Sequence, residues 1–347
     1  MSDLLIDAPM LACPDPRYYS HDEFQGIFLD FLSRLSDLSD LRLNCKSVSF
    51  WRDVQLAEVL YEENSYPFRH SLAAAFAALF EECEFQLEDI NVLATALLEK
   101  SLRLELSGVV QEVVVSSCVL SGDPVRDRSP GSIEHLCKMT CMALPILGDG
   151  KSFYPNVYLV SKKTSSESVA IEVQCAVDLI LQNDESYNIE APPVLTTLPL
   201  FLDSSHFCGS VDLVKWWSRG TEDSILDACA IQAGREERDI FEIFSSVRKN
   251  LRIGPMFIAT ARTFGFMHDP KKISRILRVC VDIILRRNLA DSHWLRDGKG
   301  AGEAQKSKGK LRAWRHDIDY EFHLHYWRNG DIVELANIVS HNDASIT

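Results

Sequence analysis

The sequence predicts an α+β chain, mostly helical, with a central antiparallel sheet region and a C-terminal module of a helix plus a β-hairpin. Three observations predict it. Apolar residues recur at three- and four-residue spacing through the first hundred positions, β-branched runs alternate through the middle, and Asn329-Gly330 stands between two alternating runs near the end. These divide the chain into a helical acidic region (1–102), an α+β region (103–215) and a basic helical segment closed by a hairpin (216–347).

In the first region, Phe24, Ile27, Phe28, Phe31 and Leu32 share one face of a helix that Ser20 and Glu23 open as a capping box. A second apolar stripe runs through Leu72, Phe76, Leu79 and Phe80, and a third through Leu87, Ile90, Leu93, Ala94, Leu97 and Leu98. From Leu102 the pattern turns to strand. VVQEVVVSSCVL is β-branched, and NVYLVSKKTSSESVAIEVQCAV reads as two runs about a Ser-rich turn, the second turning helical toward AVDLILQ. Pro192, Pro193 and Pro199 keep APPVLTTLPLF extended.

Residues 221–290 read as helical, ending in KKISRILRVCVDIILRRNL, which buries Ile273, Ile276, Leu277, Val281, Ile284 and Leu285. DGKGAGEAQKSKGK then reads as a flexible linker able to follow a phosphate backbone. In the closing hairpin Glu321, His323, His325 and Trp327 share one strand face, and Tyr320, Phe322, Leu324 and Tyr326 the other.

The net charge of −14 is unevenly spread. From Arg248 to Arg315 there are seventeen Lys and Arg against five Asp and Glu, so that segment carries +12 and the remainder −26. Such a split predicts a polyanion-binding face, here nucleic acid and RNA before DNA, with a protein partner on the acidic N-terminal region. Its candidate residues are Lys271, Lys272, Arg275, Arg286, Arg287, Arg296, Lys306, Lys308, Arg312 and Trp314. No apolar run approaches a membrane span, and MSDLLIDAPML does not read as a secretory signal, so a cytoplasmic chain is expected. The ten cysteines then read as reduced, buried thiols. His135-Leu-Cys137-Lys-Met-Thr-Cys141 has no second ligand pair at comparable spacing, so neither metal nor cofactor is expected.

Two imidazoles on one strand face beside basic residues suit acid–base work on a phosphodiester. Arg262 to His268 and Arg287 to His293 also carry the Arg-to-His spacing of helical ribonucleases, at a spacing that arises by chance in a chain of this composition. The order ISRILRVCVDIIL, basic linker, LRAWRHDID, YEFHLHYW, Asn-Gly turn and DIVELANIVSHND resembles the C-terminal two-thirds of the RelE/HigB-like toxin ribonucleases. The resemblance implies a helix on an antiparallel sheet and metal-independent cleavage of messenger RNA by basic residues with a Tyr or His. Where that family has Arg followed three positions later by Tyr, this chain has His323 and Tyr326, and where it closes on His and a basic residue, this chain has His341-Asn342. The expected mechanism is attack of a ribose 2′-hydroxyl on its phosphate, with His323 and His325 as base and acid and Arg315 and Lys310 stabilising the phosphorane. A bacterial-type toxin or defence effector acting on RNA is the first reading. The alternative is a non-catalytic subunit that docks nucleic acid and protein within a multi-protein assembly, for example in anti-phage defence.

Overall fold

A computed structural model describes residues 2–79, 86–123, 125, 128–150, 152–154, 156–161, 169–182, 185–188, 193–201, 203–237, 240–297 and 303–347. It is a mixed α/β structure, with twelve helices and three sheets among the described residues. Two compact units divide the chain, one of Met1–Leu43 and Val48–Phe207, the other of Asn44–Ser47 and Cys208–Thr347. No described helix is long and apolar enough to cross a membrane.

The first unit begins with strand, not helix. β1 (Ser2–Ile6), β2 (Val48–Arg52), β3 (Leu102–Arg103) and β5 (Val157–Val160) form a parallel sheet in the order β3-β2-β1-β5. A wholly helical 1–102 is therefore corrected. Leu4, Leu5 and Ile6 are fully buried, and a short apolar run buried on both faces has no period-two signature to separate it from a helix. The NVYLV run likewise joins this parallel sheet, beside β1, instead of the antiparallel one. Between β1 and β2, the His21–Asn44 helix buries Phe24, Phe28, Phe31 and Leu32 as its spacing predicts. Half of the expected capping box forms: Ser20 donates from N–H (3.1 Å) and hydroxyl (2.6 Å) to Glu23 Oε2, so the Glu23 carboxylate reaches back to the helix start while the Ser20 hydroxyl turns to it as a donor.

The middle sheet is antiparallel as expected. β4 (Glu112–Ser121) pairs with β6 (Ala170–Gln182), which also carries β7 (Glu185–Asn188) and β8 (Val194–Pro199). AVDLILQ stays in strand, because its Val177, Leu179 and Ile180 pair with β4. The Pro130–Leu147 helix packs on this sheet, burying Leu136, Cys137, Met139, Cys141, Met142 and Leu144. The Ser-rich turn at 162–168 and the end of the FRHSLAAAFAALFEEC segment lie outside the described residues.

The second unit carries a six-stranded mixed sheet: β10 (Ser292–Trp294), β12 (Leu311–Asp317), β13 (Phe322–Asn329), β14 (Ile332–Ser340) and β9 (Leu251–Ile253) in that order, with β11 (Ser307–Lys308) also on β12. The β13–β14 hairpin forms as its Asn-Gly signal predicts, with Gly330 at φ +59°. The linker is more ordered than expected where it is described, since Ser307 and Lys308 pair with Arg312 and Leu311. The Pro270–Ile284 helix buries Ile273, Ile276, Leu277 and Val281 and starts from Asp269, whose carboxylate accepts from the Lys271 and Lys272 N–H groups.

Candidate functional site

The predicted nucleic-acid and catalytic residues all lie in the second unit, and strand alternation sorts those on β12 and β13 onto two faces. Arg315 stands opposite His325, which stands opposite Asn337, while Asp317 stands opposite His323. This face is closed. His323 and His325 are 1% and 0% exposed, beneath the last residues of the chain. His325 Nδ1 contacts the Ser345 carbonyl at 2.7 Å, His323 Nε2 contacts the His341 carbonyl at 3.1 Å, and Trp327 Nε1 donates to the Thr347 carbonyl. Ile346 packs on the cluster of Leu295, Ala313, Trp327 and Ala336.

The expectation that both imidazoles meet a phosphodiester is therefore not met in this arrangement, because a β-strand face reads the same from sequence whether water or a chain terminus covers it. Burial lowers the His325 pKa to about 4, and it lowers that of His323 despite the Asp317 carboxylate 2.7 Å from Nδ1. Both rings are thus held toward the neutral form. Arg315 is half-buried, and its Nε has no hydrogen-bond partner among the described residues. Lys310 stands apart from this cluster, exposed at the turn between β11 and β12.

The opposite face reaches solvent at the β10 edge. Trp294 is 53% exposed and pairs across the strands with Trp314, ring centroids 6.2 Å apart and edge to face. The Arg296 guanidinium lies 5.3 Å from the Trp294 ring centre while donating to the Glu303 carbonyl. Arg312 is exposed on the same face as Trp314.

Other predicted cations have local partners. Arg275 pairs with Asp319, Arg286 with Asp331, Arg287 with Glu236 and Glu237, and Lys308 with Glu334. Lys306 donates to the Ala344 carbonyl. Lys272 donates to the Phe264 carbonyl and lies over the rings of Phe266 and Phe322, so it acts as packing. Lys271 is exposed in the first turn of its helix.

A second polar site, missed in the sequence, lies in the first unit. In the strand order β3-β2-β1-β5 the chain leaves β1 toward β2 and later returns to its other side at β5, which makes the carboxyl ends of β1 and β5 a topological switch point, where open α/β sheets hold ligands. Asp7 follows β1, Ser161 follows β5 and Asp53 follows β2. Asp7 is fully buried and accepts two hydrogen bonds from Arg128, at 2.9 and 2.7 Å, and one from the Ser161 hydroxyl. Arg128 also donates to Asp123 and Ser132. Burial opposes its charge, yet Asp7 and Asp123 more than offset that and raise its pKa.

Beside this network His135 is 2% exposed, its Nε2 3.9 Å from Asp53 Oδ1, and neither ring nitrogen has a hydrogen-bond partner among the described residues. Burial lowers the His135 pKa and raises that of Asp53. The available signal was two apolar runs, LLID and SFWRD, each closing on an aspartate.

Among the described residues no group of three or more His, Cys, Asp and Glu is arranged to hold a metal ion. The cysteine reading is corrected in one respect: Cys118 of β4 and Cys137 of the Pro130–Leu147 helix are joined as a disulfide. Comparison with family models, curated proteins and solved structures finds no match.

Proposed function

We propose that this protein docks single-stranded nucleic acid, RNA in preference to duplex DNA, through the β10–β12 edge of its C-terminal sheet, as a non-catalytic subunit or effector of a larger assembly. The observation that carries the reading is the half-exposed Trp294, braced by Trp314 and flanked by Arg296 and Arg312. Every base offers a π-face, so an exposed indole beside guanidinium groups favours unpaired bases, whereas a stacked duplex hides them. The acidic N-terminal region is the proposed surface for a protein partner, and a cytoplasmic setting suits both roles.

Docking is favoured over cleavage because His323 and His325 lie beneath the C-terminal residues. A toxin-like ribonuclease would have to displace residues 341–347 before His323, His325 and Arg315 met a phosphate.

The test is fluorescence anisotropy with labelled single-stranded RNA and duplex DNA, with cleavage read in the same samples with and without chelator. A stacked base contributes roughly 1–3 kcal/mol, so Trp294→Ala is expected to weaken RNA binding by about 5- to 150-fold with no cleavage in either protein. Unchanged affinity in Trp294→Ala would refute the docking surface. Chelator-resistant cleavage abolished by the His323→Ala, His325→Ala pair would restore the ribonuclease reading.

A further inference from the structure

Four of the ten cysteines meet at one place in the first unit. Cys118 on β4 and Cys175 on β6 are direct cross-strand partners. Directly opposite residues of an antiparallel pair point to the same side of the sheet. Here that side carries the Pro130–Leu147 helix, whose Cys137 and Cys141 are one turn apart and pack into the same apolar cluster. Cys118 is bonded to Cys137, with Cα atoms 6.4 Å apart, and the Cys141 and Cys175 sulfurs lie 3.1 Å from each other.

We propose that Cys118, Cys137, Cys141 and Cys175 form an internal thiol–disulfide exchange site that latches and releases the Pro130–Leu147 helix. Two pairings of the same sulfurs are available. In the first, the Cys118–Cys137 bond ties sheet to helix. In the second, a Cys118–Cys175 bond ties only β4 to β6 and leaves the helix without a covalent tether. Direct cross-strand partners have Cα separations of about 4.5–5.5 Å, within the range that a disulfide spans.

The exchange balances without an outside oxidant or reductant. The Cys175 thiolate attacks the Cys118 sulfur, the Cys118–Sγ bond to Cys137 breaks, and Cys137 leaves as a thiolate, so one disulfide and one thiolate stand on each side. Cys141 keeps its proton throughout. The geometry suits Cys175 as the attacking group, since the Cys141 thiol hydrogen-bonds to it and lowers its pKa. Cys118 is the half-buried member, the other three being buried, so a small thiol from solution meets Cys118 first.

What the latch would govern is also on the helix. Its first turns carry Ser132 and His135, which face Arg128 and Asp53 at the end of the parallel sheet. Release of the helix by exchange would therefore be felt at His135, two residues before Cys137.

The four cysteines fall on four separate tryptic peptides, divided by Arg126, Arg128, Lys138, Lys151, Lys162 and Lys163. The experiment is acid quenching of the full chain, alkylation in denaturant without reductant, and peptide mapping by mass spectrometry. The expected result is a Cys118–Cys137 link in the native protein, and, once oxidised glutathione has been supplied as the two-electron oxidant, a Cys118–Cys175 link in Cys137→Ala. In case that variant does not fold, the native protein is also equilibrated in glutathione buffers of graded ratio. There the Cys118–Cys175 link is expected to appear as an intermediate, together with faster modification of His135 by diethylpyrocarbonate. Free Cys118 throughout, or an equivalent of zinc or iron bound to four alkylatable thiolates, would overturn the exchange site. A Cys118–Cys137 link that never gives way to Cys118–Cys175 would leave a plain structural cross-link and overturn the proposal equally.

Discussion

Arg128→Met tests whether the switch-point network is the buried structure that its geometry describes. The Arg128 side chain is 2% exposed and directs four short N–H bonds to the carboxylates of Asp7 and Asp123, the first of which is fully buried. Methionine keeps much of the volume and removes the charge. Among the described residues Asp7 then keeps the Ser161 hydroxyl alone as a side-chain hydrogen-bond donor. Removing one partner of a buried ion pair costs about 3–5 kcal/mol, because the other charge stays out of water without compensation. At about 4 kcal/mol the folding equilibrium falls roughly a thousandfold, and a unit of this size loses on the order of 8–16 °C in melting temperature.

The assay is urea unfolding and calorimetry at neutral pH, with Arg128→Met, Arg128→Lys and the Asp7→Asn, Arg128→Met pair. Lysine offers a point charge that does not fork between two carboxylates, so it is expected to recover part of the loss, and the pair more than the single Arg128→Met change. A Met variant within about 1 kcal/mol of the native protein, with an unchanged urea slope, would refute the reasoning, since it would mean that water reaches Asp7.

Burial holds the His325 pKa down at about 4, below the unfolded value of about 6.5, so its contribution is fully present above pH ~6.5 and is lost as pH falls toward 4. This amounts to at most about 3 kcal/mol, and His325→Gln is expected to flatten the pH dependence of unfolding in that window; an unchanged profile would place the ring in water. Gly254 donates to the Leu335 carbonyl, and a Cβ built there would stand 2.7 Å from that oxygen and 3.2 Å from Ala336 Cα. Gly254→Ala is therefore expected to destabilise the C-terminal sheet by about 1–3 kcal/mol in denaturant titration, and a neutral effect would show that β9 moves freely against β14.

Local chemistry was legible wherever it was self-contained. The Ser20–Glu23 contact, the Asn-Gly hairpin and the stripe of Ile273, Ile276, Leu277 and Val281 each depend on neighbours a few residues away. What was not legible depends on distant partners. LLI and NVYLV become adjacent parallel strands only because they pair with each other from opposite ends of the first unit. The His323 and His325 face was correctly read as one face, but its cover is a stretch of seven residues, six of them polar or small, in which the lone Ile346 gives no apolar period. The switch-point site escaped for the same reason: Asp7 and Arg128 are 121 residues apart, and only the strand order brings them together.

The same local pairing changes what the basic segment can do. Of the eleven cations expected to meet nucleic acid or stabilise its cleavage, Arg275, Arg286, Arg287 and Lys308 already face carboxylates, Lys272 and Lys306 donate to carbonyls, and Arg315 is half-buried beneath the C-terminal cover. Lys271, Lys310 and Arg312 are exposed, and Arg296, half-buried with one N–H on the Glu303 carbonyl, lies beside the Trp294 ring as the fourth. Each phosphate neutralised on a single strand contributes roughly 0.7 to the slope of log affinity against log salt, so four contacts give a slope of about −3, and all eleven would give about −8. Titration of RNA binding between low and physiological salt separates the two. A slope near −3 that falls by about one contact in Arg312→Ala is the outcome expected of a small aromatic platform edged by a few charges. A slope near −8 would mean that the ion pairs with Asp319, Asp331, Glu236 and Glu334 open on binding, and that the polyanion is held by charge alone.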